Sequence, residues 1–180
     1  ELGLVTAEKK DSTGICFIGE RNFRKFLKSY LPAQKGPIKD LSGNVVGEHD
    51  GVMYYTIGQR RGLNIGGKDG YDNDRWFVVK KDVTTNTLYV NCGECEEMYS
   101  RGCIVKEFNW ITDEMKSDFS AFVKLRYRQP DQKVHVKIMD DHTIQLDFDE
   151  KQRAVTIGQF AVLYAEDGMC YGGGRIDSLL

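Results

Sequence analysis

The amino-acid sequence predicts a mainly β protein, with one helix near its start and strands through the rest. Two observations carry that prediction. Between Phe119 and Arg128 one set of residues, Phe119, Ala121, Val123, Leu125 and Tyr127, alternates with another, Ser120, Phe122, Lys124, Arg126 and Arg128. A period of two marks a strand with one face toward a core. Elsewhere, short apolar runs recur between brief polar turns, a spacing suited to barrels or sandwiches. With 180 residues, 41% of them hydrophobic, the chain can pack one domain or two small ones.

Taken in order, residues 1–10 have no clear period and read as a connector. The helix is predicted over Asn22 to Tyr30, where Phe23, Phe26, Leu27 and Tyr30 fall at helical spacing. Pro32 and Pro37 punctuate a loop. Ile38 to Leu41 and Val45 to Glu48 flank Ser42-Gly43-Asn44 as a hairpin. Val52 to Ile57 reads as a strand, and Gly58 to Gly70 as a glycine-rich basic loop. Trp76 to Val83 and Thr87 to Asn91 form a second hairpin around Thr84-Thr85-Asn86. The polar stretch Cys92 to Arg101 reads as a connector and a domain boundary. Strands follow at Ile104 to Ile111, 119–128, Lys133 to Ile138, Ile144 to Asp149, Phe160 to Ala165 and Met169 to Gly173. No internal repeat is evident at this level.

Net charge is −2, so global charge gives no support for nucleic-acid binding, which must rest on a local patch. No apolar run reaches membrane-spanning length and no secretory pattern opens the chain, so a cytoplasmic protein without membrane contact is expected. The five cysteines are odd in number, which fits thiols better than a disulfide framework. Cys92, Cys95 and Cys103 lack a fourth ligand nearby, so zinc is a poor fit and no metal site is expected. His49 lies in a turn and is expected to make a hydrogen bond there; His135 and His142 are expected to be solvated.

Three constellations carry chemistry. Cys16 stands between Gly14 and Gly19, just before the predicted helix and near Arg21. A helix N-terminus and a cation favour thiolate, although a cysteine between Ile15 and Phe17 is more often a small buried hydrophobe. Second, Lys124, Arg126 and Arg128 share one strand face, and Lys133, His135 and Lys137 share a face of the next. If the two strands pair, the result is a basic stripe for phosphate or an ordinary solvated face. Third, Arg60 and Arg61 in Gln59-Arg60-Arg61-Gly62 suit either phosphate or nearby Asp69, Asp72 and Asp74.

The segment Asp11-Ser-Thr-Gly-Ile-Cys-Phe-Ile-Gly-Glu-Arg21 resembles the part of bacterial tRNA-specific 2-thiouridylases that carries their second catalytic cysteine. Further islands follow in that family's order: Tyr30-Leu-Pro-Ala33, Gly47-Glu-His49, Gly58-Gln-Arg-Arg-Gly-Leu63 and Ile65-Gly-Gly67. They continue with Arg126-Tyr-Arg-Gln129, Gly158-Gln159 and Gly172-Gly-Gly174. So long an ordered series is far more specific than any one island.

The resemblance implies a connector with the cysteine loop at 1–16, a small β-rich central domain at 17–97 and a translation-factor-like β-barrel at 98–180. It implies that Cys16 carries a persulfide and that Arg126, Tyr127 and Gln159 contact tRNA, with Lys124, Arg128, Arg60 and Arg61 as further candidates. The implied reaction thiolates C2 of the wobble uridine, position 34, in tRNAs for Lys, Glu and Gln. Implied partners are tRNA and a sulfur donor, either a cysteine desulfurase or a sulfur relay protein. ATP with magnesium belongs to the family's N-terminal domain, whose Ser-Gly-Gly-Val-Asp-Ser-type loop does not occur in these 180 residues. No cofactor is therefore expected on this chain, and it is expected not to thiolate tRNA alone. The family's partner cysteine, which closes a disulfide during turnover, also belongs to that domain. The alternative from another class is a non-catalytic β-barrel RNA-binding module with an inert Cys16.

Overall fold

The computed structural model describes residues 30, 34–66, 75–112, 117–126 and 129–180. The predicted helix, apart from Tyr30, and the Cys16 turn lie outside them. Residues 35–180 form one compact unit, which the following concerns.

Ten strands occur among the described residues: β1 Gly36–Lys39, β2 Val45–His49, β3 Trp76–Asp82, β4 Thr87–Cys92, β5 Tyr99–Trp110, β6 Phe119–Lys124, β7 Gln132–Asp140, β8 Thr143–Arg153, β9 Phe160–Tyr164 and β10 Cys170–Leu179. The mainly β expectation is met. The first four make a sheet of order β2-β1-β4-β3, and the other six close a barrel of order β10-β5-β8-β7-β6-β9.

Both predicted hairpins of the first sheet are present. The β1–β2 turn is held by Asp40, whose carboxylate accepts from the Asn44 amide at 2.7 Å and the Asn44 side chain at 2.8 Å. In the β3–β4 turn Asp82 accepts from the amides of Thr84 and Thr85; the Thr85 hydroxyl, then these amides, hold its carboxyl below the usual range. The two hairpins join through a parallel pairing of β1 with β4, Ile38 opposite Leu88. Ile38, Val78, Leu88 and Val90 are wholly buried at the centre of this sheet's apolar cluster.

The strand expected over Val52 to Ile57 is instead a 3-10 turn, Val52–Tyr54. Val52 and Tyr55 are buried in the sheet's core, so their apolar character is real. Their backbone bonds close locally, Tyr54 to Gly51 and Tyr55 to Val52, rather than to a neighbouring strand. An apolar run this short cannot distinguish the two outcomes. The stretch expected as a polar connector holds another 3-10 turn, Glu96–Met98, and the start of β5. Met98 is buried there.

The barrel interior is filled by alternate residues of its strands. Val105, Val123, Val136, Leu146, Leu163 and Ile176 are all fully inaccessible. Closure pairs every barrel strand with two neighbours, although β6 meets β9 only over Phe122, Val123 and Lys124.

One tetrapeptide, Thr-Ile-Gly-Gln, occurs twice, at 56–59 and 156–159, a recurrence the sequence reading passed over. Both copies make the same turn. The amide of Gln59 bonds the Thr56 carbonyl, and that of Gln159 bonds Thr156. Gly58 and Gln59 then pair with Val78 of β3, as Gly158 and Gln159 pair with Ile176 of β10. Each glycine sits in left-handed backbone, φ 79° and 87°, which a side chain resists. The surroundings differ. A Cβ on Gly58 would stand 2.7 Å from the Ala154 Cβ, whereas one on Gly158 would meet nothing. The first turn thus lies against the barrel.

Gly158→Ala is expected to cost only the backbone term, about 1 kcal/mol. Gly58→Ala adds an overlap with Ala154 and is expected to cost a further ~1–3 kcal/mol. Urea unfolding of the two variants checks this; equal losses would show that the turn and barrel are not in contact.

Candidate nucleic-acid interface

Of the candidate residues, Arg126 is held where the first sheet meets the barrel. β6 ends at Lys124 and the chain bends, so Arg126 leaves the strand face it was expected to share with Lys124. Its Nη2 donates to the carbonyl of Ala154 at 2.8 Å and, more weakly, to that of Ile57 at 3.4 Å. One guanidinium therefore touches the approach to both Thr-Ile-Gly-Gln turns. Ala154 is itself in left-handed backbone, φ 57°, and buried. Its amide donates to the Met98 carbonyl at 2.7 Å, and its carbonyl accepts from Thr156 Oγ1 as well as from Arg126. These bonds offset a conformation that costs about 1–2 kcal/mol for a non-glycine residue.

Tyr127 and Arg128 lie outside the described residues. The residues on either side of them are anchored. Gln129 donates its amide to the Arg126 carbonyl at 3.0 Å and its side chain to Gln152 Oε1 at 2.9 Å. Gln152 is buried and donates in turn to Gln132 Oε1 and the Glu150 carbonyl. This glutamine relay was not anticipated. Its members are scattered in sequence and carry no charge pattern, so nothing local marks them.

Gln159 occupies the second turn, just before β9. In the first turn the corresponding Gln59 is used internally: its Oε1 accepts from the Thr56 amide and its Nε2 donates to the Arg61 carbonyl. Among the described residues the Gln159 side chain makes no corresponding bond. Arg60 and Arg61 are exposed and make no ion pair among the described residues. Asp69, Asp72 and Asp74 lie outside those residues.

The expected hairpin of β6 and β7 forms, with Ser120 opposite His135 and Phe122 opposite Lys133. Its stripe of cations is compensated. Lys124 reaches Asp131 at 3.4 Å, and Lys137 reaches Asp147 of β8 at 2.7 Å. The Lys137 pair holds the Asp147 carboxyl down and raises the lysine. Asp131 immediately precedes β7 and Asp147 comes from neighbouring β8, which the reading of β6 and β7 alone did not include. His49 behaves as expected: the Gly51 amide donates to Nδ1 at 3.0 Å, so Nε2 carries the proton and donates to the Asn86 carbonyl at 3.0 Å.

Cys16 lies outside the described residues. Cys103 points into the barrel core, and burial pushes its thiol up to about 12. Cys95 precedes the Glu96–Met98 turn; burial, then Glu97, raises its thiol. Among the described residues no cluster of three or more His, Cys, Asp or Glu side chains could hold a metal ion, and no helix is long and apolar enough to cross a membrane.

Two family models match the chain. One, described as a tRNA methyl transferase PRC-barrel domain, covers residues 24–92; the other, an aminomethyltransferase beta-barrel domain, covers 100–176. The chain is 52% identical over its whole length to the tRNA-specific 2-thiouridylase MnmA of Oceanobacillus iheyensis, and also 52% to that of Alkaliphilus oremlandii. It is 51% identical over 98% of its length to the Aeromonas hydrophila protein of the same name. It covers 48%, 49% and 48% of those three relatives, about half the length of each. The ordered islands, the two sheets and these matches agree, and the chain belongs to the tRNA-specific 2-thiouridylase family.

Proposed function

We propose that this chain is the sulfur-carrying and RNA-docking part of a tRNA-uridine 2-sulfurtransferase. Half-identity along the full chain to proteins named tRNA-specific 2-thiouridylase is the observation that carries the reading. The family models are named for methyl and aminomethyl transfer, but each matches a single sheet, whereas the thiouridylases match the chain from end to end. The division into 1–16, 17–97 and 98–180 is part of the proposal, as is a cytoplasmic location.

In this reading Cys16 accepts a sulfane sulfur from a cysteine desulfurase or relay protein. ATP with magnesium, bound by the half of the enzyme outside this chain, activates the C2 oxygen of uridine 34 as an adenylate. The terminal persulfide sulfur attacks C2 and AMP departs, leaving Cys16 joined to the base through a disulfide-like S–S bond. A second thiol, also outside this chain, attacks Cys16 Sγ. The S–S bond to the base breaks, its electrons form the C2 thiocarbonyl, and a cysteine pair remains oxidised. Only a thiolate accepts sulfur and passes it on in this way. Arg126, Tyr127 and Gln159 dock the RNA of tRNA Lys, Glu or Gln, with Lys124, Arg128, Arg60 and Arg61 nearby. The anchoring of Arg126 supports this, because a side chain already held in place loses less freedom on binding.

In the full-length enzyme, Cys16→Ser is expected to abolish 2-thiouridine measured by mass spectrometry of tRNA nucleosides. Undiminished product would leave the RNA-binding module as the better reading. Alkylation at neutral pH is expected to label Cys16 ahead of Cys95 and Cys103, whose raised thiols hold little thiolate. Arg126→Ala is expected to weaken tRNA binding and reduce the salt slope by about one. Arg126→Lys is expected to keep the slope while losing the paired carbonyl bonds.

A further inference from the structure

The outer face of the barrel carries an aromatic patch that the candidate residues above do not include. Phe122 of β6 stands opposite Tyr164 of β9 on one side and Lys133 of β7 on the other. Lys124, the next outward residue of β6, lies opposite Val162 and holds its ammonium 5.5 Å from the centre of the Tyr164 ring. Further along β9, Phe160 is 62% exposed, immediately after Gln159. Outward aromatic rings are thus interleaved with lysines, and the row ends at the second Thr-Ile-Gly-Gln turn.

A groove opens at this patch for a topological reason. β9 stops at Tyr164 and turns away through Ala165 and Gly168, so Phe119, Ser120 and Ala121 of β6 have no β9 partner. The space is about 460 Å³, with Ser120, Phe122, Lys133, Asp149, Glu166 and Tyr171 in its lining. A second depression of about 240 Å³ adjoins it and shares Phe122, Ala165 and Glu166, adding Lys124, Asp131 and Tyr164. Among the described residues Lys133, Asp149 and Glu166 make no ion pair. A dry apolar wall would bind any hydrophobe, but this one is ringed by uncommitted charges of both signs.

We propose that this groove receives an unpaired nucleotide of the RNA substrate, its base lying against Phe122 and Tyr164. The inference rests on the reading that the substrate is a tRNA. Aromatic faces stack bases without regard to sequence, and lysines beside them take the phosphates. Lys124 and Lys133 are placed for the backbone. Asp149 and Glu166 repel phosphate but accept hydrogen bonds from an exocyclic amino group, so adenine is favoured over uracil. The patch adjoins the proposed docking residues in the chain, since Phe160 follows Gln159 and Lys124 ends β6 two residues before Arg126.

The test uses the full-length protein, a labelled short oligoadenylate, the matching oligouridylate and a tRNA transcript. Oligoadenylate is expected to bind more tightly than oligouridylate. Phe122→Leu and Tyr164→Leu are expected to weaken oligoadenylate binding by about ten-fold at unchanged salt slope, and Tyr164→Phe to restore it. Lys124→Ala is expected to lower the slope as well. If a leucine variant fails to fold, the wild-type protein is photo-crosslinked to oligoadenylate carrying 8-azidoadenosine, and the labelled peptides are mapped. Adducts on β6 or β9 support the site; adducts confined to other elements overturn it. Leucine variants that bind both RNAs as wild type does also overturn it. If tRNA binding then still depends on Arg126, the docking reading survives alone; if the protein binds no tRNA at all, that reading fails with it.

Discussion

The arrangement of the candidate interface depends on Ala154. A non-glycine residue in left-handed backbone is held there by three hydrogen bonds, from its amide to Met98 and to its carbonyl from Thr156 and Arg126. Its methyl occupies the space that Gly58 leaves empty. If the backbone at 154 relaxed, the carbonyl would turn from Arg126 and the turn at 156–159 would lose its approach. The first Thr-Ile-Gly-Gln turn, the barrel and Arg126 therefore meet at one small buried residue. Arg126 also reaches the Ile57 carbonyl, which ties the loop bearing Arg60 and Arg61 to the same point.

Electrostatics at this surface is local rather than global. The chain is slightly acidic, and several exposed lysines are spent on neighbouring carboxylates: Lys106 on Asp177, Lys137 on Asp147, and Lys151 on Glu96. Exposed pairs of this kind contribute little to stability. Their larger effect is to erase the positive potential that alternating lysines would otherwise create along β7. What remains is a narrower set of cations, Lys133, Arg60, Arg61 and Arg126, with Lys124 shared between Asp131 and the Tyr164 ring. A surface of this kind selects for shape and stacking more than for charge, since a uniform basic stripe would bind any polyanion.

Much of this was legible beforehand, and the reasons are specific. The alternation over 119–124 and 133–138 placed β6 and β7 because side-chain direction in a strand follows from the local backbone alone. Ser42-Gly43-Asn44 and Thr84-Thr85-Asn86 announced turns for the same reason. Val52 to Ile57 misled because buried apolar residues look alike in a strand and in a 3-10 turn. Arg126 looked like a strand-face cation, yet the strand ends two residues earlier. The repeated Thr-Ile-Gly-Gln was plainly present, but a four-residue match acquires meaning only when both copies are seen to bond in the same way.

The sequence by itself determined the strand-rich class, the hairpins and, through motifs that follow the family's order along the chain, the resemblance to that family. Each of these depends on residues close together in the chain or on their linear succession. Only the tertiary structure decided that β1 lies parallel to β4, that β10 closes the barrel between β5 and β9, and that Arg126 spans two carbonyls 97 positions apart in sequence. Those outcomes depend on which distant segments bury one another's apolar faces. No local period encodes that choice, because a strand of given pattern can pair with any partner that leaves its inward side dry.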